Sequence, residues 1–145
     1  MHNNTIRVVI DTNIWISFLI GKSLIGLTDA IITNRVLILF SDKLFKELSE
    51  VLTRPKFKKY FSASTIETLI AILHEKVELI DITEYFNNCR DKKDNFLLDL
   101  AVSGRANYLV TGDADLLILN PFHNIEIISY KMFQNIIDTQ SIKIQ

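Results

Sequence analysis

Ile6-Arg7-Val8-Val9-Ile10-Asp11-Thr12-Asn13-Ile14-Trp15 is the stretch on which the fold turns. An apolar, β-branched run without polar alternation is the pattern of a strand covered on both faces, the habit of parallel sheets in α/β proteins. It stops on an acid, a hydroxyl and an amide. Ile14, Trp15, Ile16 and Phe18 then follow at helical spacing, with Thr12 or Asn13 available as the cap. Asp11 therefore falls at the carboxyl end of a central strand, where open parallel sheets form their ligand crevice. Taken alone, the same acid could be an ordinary helix cap.

Outward from this stretch the chain repeats the pattern. Val36-Leu37-Ile38-Leu39-Phe40, Val77 to Ile82, Tyr108-Leu109-Val110-Thr111 and Ile125 to Ile128 read as further strands. Helices are expected from Leu24 to about Asn34, with Leu24, Leu27, Thr28, Ile31 and Ile32 giving one apolar face after a break from Gly21 to Gly26. Others run from Ser41 or Asp42 to Pro55, from Ser62 or Ser64 to about Lys76, from Asp94 to Arg105 and from Lys131 to Ile137. Five strands alternating with helices define an α/β/α sandwich around a parallel sheet. Periodicity does not reveal the strand order.

The 145 residues, 48% hydrophobic and 23% charged, suit a single domain spanning 1–145 with an ordinary core. A net charge of −1 argues against bulk, charge-driven binding of nucleic acid, though not against a local patch or a metal that receives phosphates. Cys89 is the only cysteine, which excludes an intramolecular disulfide and a cysteine-based zinc cluster. Met1-His2-Asn3-Asn4-Thr5 lacks the features of a signal peptide, and no run approaches the roughly 18 apolar residues of a membrane span. A cytoplasmic location is the expectation.

Three acidic groups share the address of Asp11. Asp113 and Asp115 follow the strand ending at Thr111, and Asp94 opens a helix one turn after Asp91. Glu47 borders the buried stripe Leu44, Leu48 and Val51 of its helix, whereas Glu50 points more toward solvent. Asp99, five residues beyond Asp94, lies about 140° around the axis and reads as solvated or supporting. Each acid has a plainer role open to it: Asp94 as an N-cap, Asp113 as a turn residue, Asp115 as a helix-start acid, Glu47 as a surface residue.

Converging carboxylates repel one another by about 4 kcal/mol per pair at 4 Å and an effective dielectric of about 20. Lys92 and Lys93 read as solvated, and no lysine or arginine falls at a strand end inside the expected crevice. A divalent metal is the remaining neutraliser. Oxygen ligands without His or Cys favour Mg²⁺ or Mn²⁺, and His2, His74 and His123 match no zinc spacing. Such ions polarise phosphoryl oxygens and lower the pKa of bound water.

These residues resemble the PIN domain, a metal-dependent ribonuclease fold, over most of the chain. The resemblance rests on Val9-Ile10-Asp11-Thr12-Asn13, Glu47, Asp94 with Leu97 and Ala101 behind it, and Val110-Thr111-Gly112-Asp113-Ala114-Asp115-Leu116. More narrowly, Leu52-Thr53-Arg54-Pro55-Lys56-Phe57 and Asp94-Asn95-Phe96-Leu97 are similar to the branch of toxin components of toxin–antitoxin pairs. The resemblance implies strand order 3-2-1-4-5 and hydrolysis of RNA phosphodiester bonds with Mg²⁺ or Mn²⁺. It further implies Asp11, Glu47, Asp94 and Asp113 as the metal-holding acids, Asp115 as an extra ligand, and Asn13 and Thr111 as supporters. A cognate antitoxin and a homodimer are the implied partners, with no membrane. One departure is Arg90-Asp91-Lys92-Lys93, where relatives often carry a proline. It leaves Asp91 or Asp94 as the inward acid, with Asp94 favoured.

The mechanism expected is in-line attack of water on a single RNA strand, without a side-chain nucleophile. Arg54, Lys56, Lys58 and Lys59, interleaved with Phe57 and Tyr60, could follow the backbone and stack bases, or form a solvated loop whose aromatics pack. The rival from another class is a non-catalytic module that binds RNA or protein. A Mg²⁺ phosphohydrolase of the haloacid-dehalogenase type fits poorly, because Asn13 stands where its second Asp belongs. A receiver-type phosphorylation site fits equally poorly, since Thr111-Gly112-Asp113 supplies no lysine.

Overall fold

The computed structural model describes residues 5–20 and 24–144, with the side chains of Leu24 and of 141–144 left aside. Five parallel strands, β1 (Ile6–Ile10), β2 (Val36–Phe40), β3 (Glu78–Leu79), β4 (Tyr108–Val110) and β5 (Glu126–Ile128), form one sheet in the order β3-β2-β1-β4-β5. β1 is central because its residues pair on both sides, Val8 with Ile38 of β2 and with Tyr108 of β4. Val8, Val9 and Ile10 are fully buried, as a strand covered by helices on both faces requires. The chain turns from building one half of the sheet to the other between β1 and β4, so the carboxyl ends of these two strands flank the switch point where α/β sheets open a crevice.

Helices α1 (Thr12–Ile20), α2 (Leu24–Ile32), α3 (Asp42–Leu52), α4 (Ala63–Lys76), α5 (Asn95–Ser103), α6 (Ala114–Leu117) and α7 (Tyr130–Ile144) layer the sheet. Local chemistry sets their starts. Ser41 and Ser62 cap α3 and α4 by accepting from Leu44 N and Thr65 N, each at 3.2 Å. Trp15 of α1 stacks on Phe40 of β2 at 6.0 Å, and Phe18 meets Phe133 of α7 edge-on. No single helix among the described residues is long and apolar enough to cross a membrane.

The differences from expectation have local causes. The expected cap of α1, Thr12 or Asn13, is replaced by Asp11, whose carbonyl accepts from Ile14 N and Trp15 N. The break from Gly21 onward is shorter than expected. Gly26 lies inside α2 with open space where a Cβ would stand, while Gly21, Lys22 and Ser23 fall outside the described residues. Ile32 is 51% exposed, because Ala30 rather than Ile32 joins Leu27 and Ile31 on the buried face. Of the Val77–Ile82 run only Glu78 and Leu79 pair, at the sheet edge beside Leu39 and Phe40. α7 runs well past Ile137, because the Gln140 side chain still reaches back to the Arg35 carbonyl at 3.4 Å.

Candidate metal centre

Asp11 is held where β1 ends. Its backbone N–H makes the next bond along β4, to the Val110 carbonyl at 3.0 Å, so its side chain emerges at the switch point. The residue is 8% exposed, and Thr111 Oγ1 donates to Asp11 Oδ2 at 2.9 Å. Burial raises the Asp11 pKa. The bonds from the Thr111 hydroxyl and Asn13 N–H oppose that rise, and the charges of Glu47 and Asp113 add to it.

Thr111 serves two acids at once. Fully buried after β4, it donates to Asp11 and accepts from Asp113 N at 3.1 Å. Asp113 in turn caps α6, taking the Asp115 N–H on Oδ1 at 2.8 Å. On the other wall, Thr12 Oγ1 donates to Glu47 Oε1 at 2.8 Å. Leu44, Leu48 and Val51 bury one side of α3 and thereby present Glu47 to the cleft. The Thr12 contact escaped the sequence reading, although the hydroxyl directly after a strand-end acid was its visible signal.

Asp91 and Asp94 arrive together. A 3₁₀ turn over Lys92–Asp94 is closed by Asp94 N donating to the Asp91 carbonyl at 3.0 Å. Ligand oxygens of Asp91, Asp94 and Asp113 all lie within 4.8 Å of one another. Asp94 lines the cleft, as favoured, while Asp91, outside that lining, keeps a carboxylate oxygen within the same group. The Asp94 pKa is pushed up to about 7, by burial first, then by its hydrogen bond to Asp113 and the charges of Asp113, Asp11 and Asp91. Asp113 moves the opposite way, below the usual carboxylate range, chiefly because Asp94 donates to it.

Asp11, Glu47, Asp94 and Asp113 all line one cleft of about 760 Å³, with Asn13 at its mouth. Asp115 stands beside it, its backbone N–H tied to Asp113. Two cations also line this cleft, contrary to the expectation of none: Arg54, just beyond α3, and Lys93, whose Nζ lies 3.7 Å from Asp91 Oδ2. Asp94 and Asp113 keep ligand oxygens within 4.8 Å of one another, while the charge of Lys93 helps to lower the Asp113 pKa. Glu50, though exposed, also reaches the lining. Of the basic stretch, Lys56, Lys58 and Lys59 are exposed, but Phe57 stacks on Phe61 at 5.8 Å and belongs to the packing; Tyr60 is 52% exposed.

The donor set fits a hard divalent cation. Carboxylate oxygens a few ångströms apart are what Mg²⁺ or Mn²⁺ would relieve, and among the described residues no sulfur or imidazole joins the lining.

Fold and site together define an α/β domain whose sheet opens, at its switch point, into a carboxylate-lined cleft. The chain belongs to the PIN domain family, whose profile matches residues 7–115 and so spans every acid named above. PIN domains are typically metal-dependent nucleases, and the acidic cluster is consistent with their metal site. The chain is 32% identical over 122 residues to Uncharacterized protein MJ1680 of Methanocaldococcus jannaschii, covering 82% of this chain and 78% of that one. Its fold matches the crystal structure of PAE2754 from Pyrobaculum aerophilum with a TM-score of 0.63 over 94% of both chains, at 13% identity. A more distant likeness is to the PIN domain endonuclease Utp24, with a TM-score of 0.49, 18% identity, and coverage of 85% and 84%.

Proposed function

We propose that this chain is an endoribonuclease that hydrolyses phosphodiester bonds in single-stranded RNA with Mg²⁺ or Mn²⁺, as the toxin of a toxin–antitoxin pair in the cytoplasm. One observation carries the nuclease reading: carboxylate oxygens of Asp91, Asp94 and Asp113 lie within 4.8 Å of one another, beside Asp11, at an open cleft. A fold keeps like charges together at such cost when a cation is to be held.

Asp11, Asp94 and Asp113, with Asp91 and Glu47 alongside, would hold the cation. Thr111 fixes the first acid against the third, and Thr12 fixes Glu47, so the shell is oriented before anything binds. When bound, the cation supplies polarisation of a phosphoryl oxygen and a more acidic water. The chain itself offers no nucleophile there: Ser17 Oγ donates to the Asn13 carbonyl, and no histidine lines the cleft among the described residues. Hydrolysis by water, without a covalent intermediate on a side chain, is the consistent outcome.

The toxin role draws support from the motifs around Arg54 and Asp94 that are similar to that branch. Exposed Ile25, Ile32 and Met132 give apolar surface suited to an antitoxin or a second copy. The test is calorimetric titration with Mn²⁺ alongside cleavage of a labelled RNA pool, wild type against Asp11→Asn. Cation-dependent cleavage lost in the variant is expected. RNA binding with no cleavage in any divalent ion would instead make the chain a binding module, and a neighbouring small gene whose product co-purifies would establish the pairing.

A further inference from the structure

Resting on the nuclease reading above, we propose that Arg54 and Lys93 form a two-sided clamp that holds the phosphates of the RNA strand across the acids. Both line the cleft, and they come from different walls. Arg54 follows α3, the helix that carries Glu47 and Glu50, and Lys93 stands in the turn that carries Asp91 and Asp94.

Electrostatics demands such a device. A cleft lined by Asp11, Glu47, Glu50, Asp94 and Asp113 repels a polyanion, and one divalent ion does not offset that whole set. The two basic side chains are exposed enough to meet a phosphate. Arg54 forms no side-chain hydrogen bond or ion pair among the described residues, although Glu47 and Glu50 share its cleft. Its guanidinium is therefore not committed to balancing the acids. Lys93 makes a long ion pair, 3.7 Å to Asp91, and its charge also helps to lower the Asp113 pKa, but its side chain is 79% exposed and can swing to a phosphate. A planar guanidinium suits two phosphate oxygens at once, while the lysine acts as a point charge. Beyond Arg54 the exposed Lys56, Lys58 and Lys59 continue the positive track away from the cleft.

The experiment measures binding of a labelled single-stranded RNA decamer with Ca²⁺ present, over a series of salt concentrations, with RNA integrity checked on a gel. R54Q and K93Q should each weaken binding roughly fivefold and reduce the slope of log K against log salt by about 0.7, the value for one lost single-strand phosphate contact. R54K should restore most of the slope, and K131Q, on α7 away from the cleft, should leave binding as it was. Mn²⁺ affinity of R54Q, read by calorimetry, should match wild type. If the variants bind RNA with unchanged affinity and slope while wild type binds Mn²⁺ and cleaves, the clamp is wrong and the nuclease reading stands. A wild-type chain that neither binds Mn²⁺ nor cleaves overturns both.

Discussion

Asp94 and Asp113 stand 19 positions apart in the chain, yet their carboxylate oxygens lie within 4.8 Å of each other, and this closeness helps to push the Asp94 pKa up to about 7 while that of Asp113 is lowered. The pair joins the turn before α5 to the turn after β4. The proton that Asp94 keeps is thereby the charge that a metal would displace.

That displacement has a pH signature. In the metal-free chain Asp94 keeps its proton up to about pH 7, whereas a metal-holding pair must be fully ionised. Mn²⁺ affinity should therefore rise about tenfold per pH unit below that point and level off above it. Calorimetry at pH 6 in two buffers of different ionisation enthalpy should show close to one proton released per ion, falling toward none at pH 8.5. Stability follows the same sign. The folded Asp94 pKa lies above its ordinary 3.8, so its contribution is full below that value and is lost as pH rises through about 7. The melting temperature of the metal-free protein should fall across this window, and Asp94→Asn should flatten the fall.

Thr111→Val tests the hydroxyl that links Asp11 to Asp113. The substitution is nearly isosteric but strips one donor from a buried carboxylate and one acceptor from the Asp113 N–H. A loss of roughly 1–3 kcal/mol is expected, read as a lower urea midpoint at unchanged slope. Mn²⁺ affinity should drop with it, because Asp11 is then free to rotate. Full affinity in a destabilised variant would confine Thr111 to a packing role.

Gly104→Ala tests how tightly the helix layer sits on the sheet. A Cβ at Gly104 would come within 2.9 Å of Leu39 Cδ1 and 3.0 Å of the Leu100 carbonyl, at the end of α5 against β2. The Gly104 carbonyl also takes two bonds from the Arg7 guanidinium, which in turn pairs with Glu78 of β3 at 3.1 Å. Overpacking here should cost about 1–3 kcal/mol, measured by denaturant unfolding. A variant as stable as wild type would show that Leu39 can swing aside.

What was legible in the sequence was whatever one chain segment decides by itself. The Val8–Ile10 run, the caps Ser41 and Ser62, and the acids at strand ends each signal locally, and the fold-level resemblance supplied the order of strands. What stayed hidden depends on two segments meeting. The hydroxyl of Thr12 is visible after the strand-end acid, but nothing local names its partner Glu47, 35 residues away. Lys93 is solvated as its sequence context suggests, at 79% exposed, but its place in the cleft lining, 3.7 Å from Asp91, depends on the fold. The outermost strand beside β2 shrinks to Glu78 and Leu79, because pairing length is set by the partner strand and not by the apolar run.

Asp99 is the sharpest such case and yields the last prediction. By helical angle it lies away from Asp94 and reads as solvated or supporting, yet it is only 9% exposed, and its Oδ1 accepts from Phe86 N at 2.7 Å. One turn earlier, Asn95 Oδ1 takes the Cys89 N–H at 2.9 Å. α5 thus pins the extended passage 86–89 at two points, and that passage leads directly into the turn carrying Asp91 and Asp94. Burial raises the Asp99 pKa while the Phe86 N–H and the charge of Lys43 oppose the rise. Asp99→Ala should orphan the Phe86 N–H and destabilise the chain by roughly 1–3 kcal/mol. Asp99→Asn retains an acceptor and sheds the buried charge, so it should lose much less. Because the passage positions the turn, Asp99→Ala should also weaken Mn²⁺ binding several-fold while Asp99→Asn leaves it near wild type. Equal loss of metal affinity in both variants would instead mean that the negative charge of Asp99 acts on the cation directly, and the positioning argument would fail.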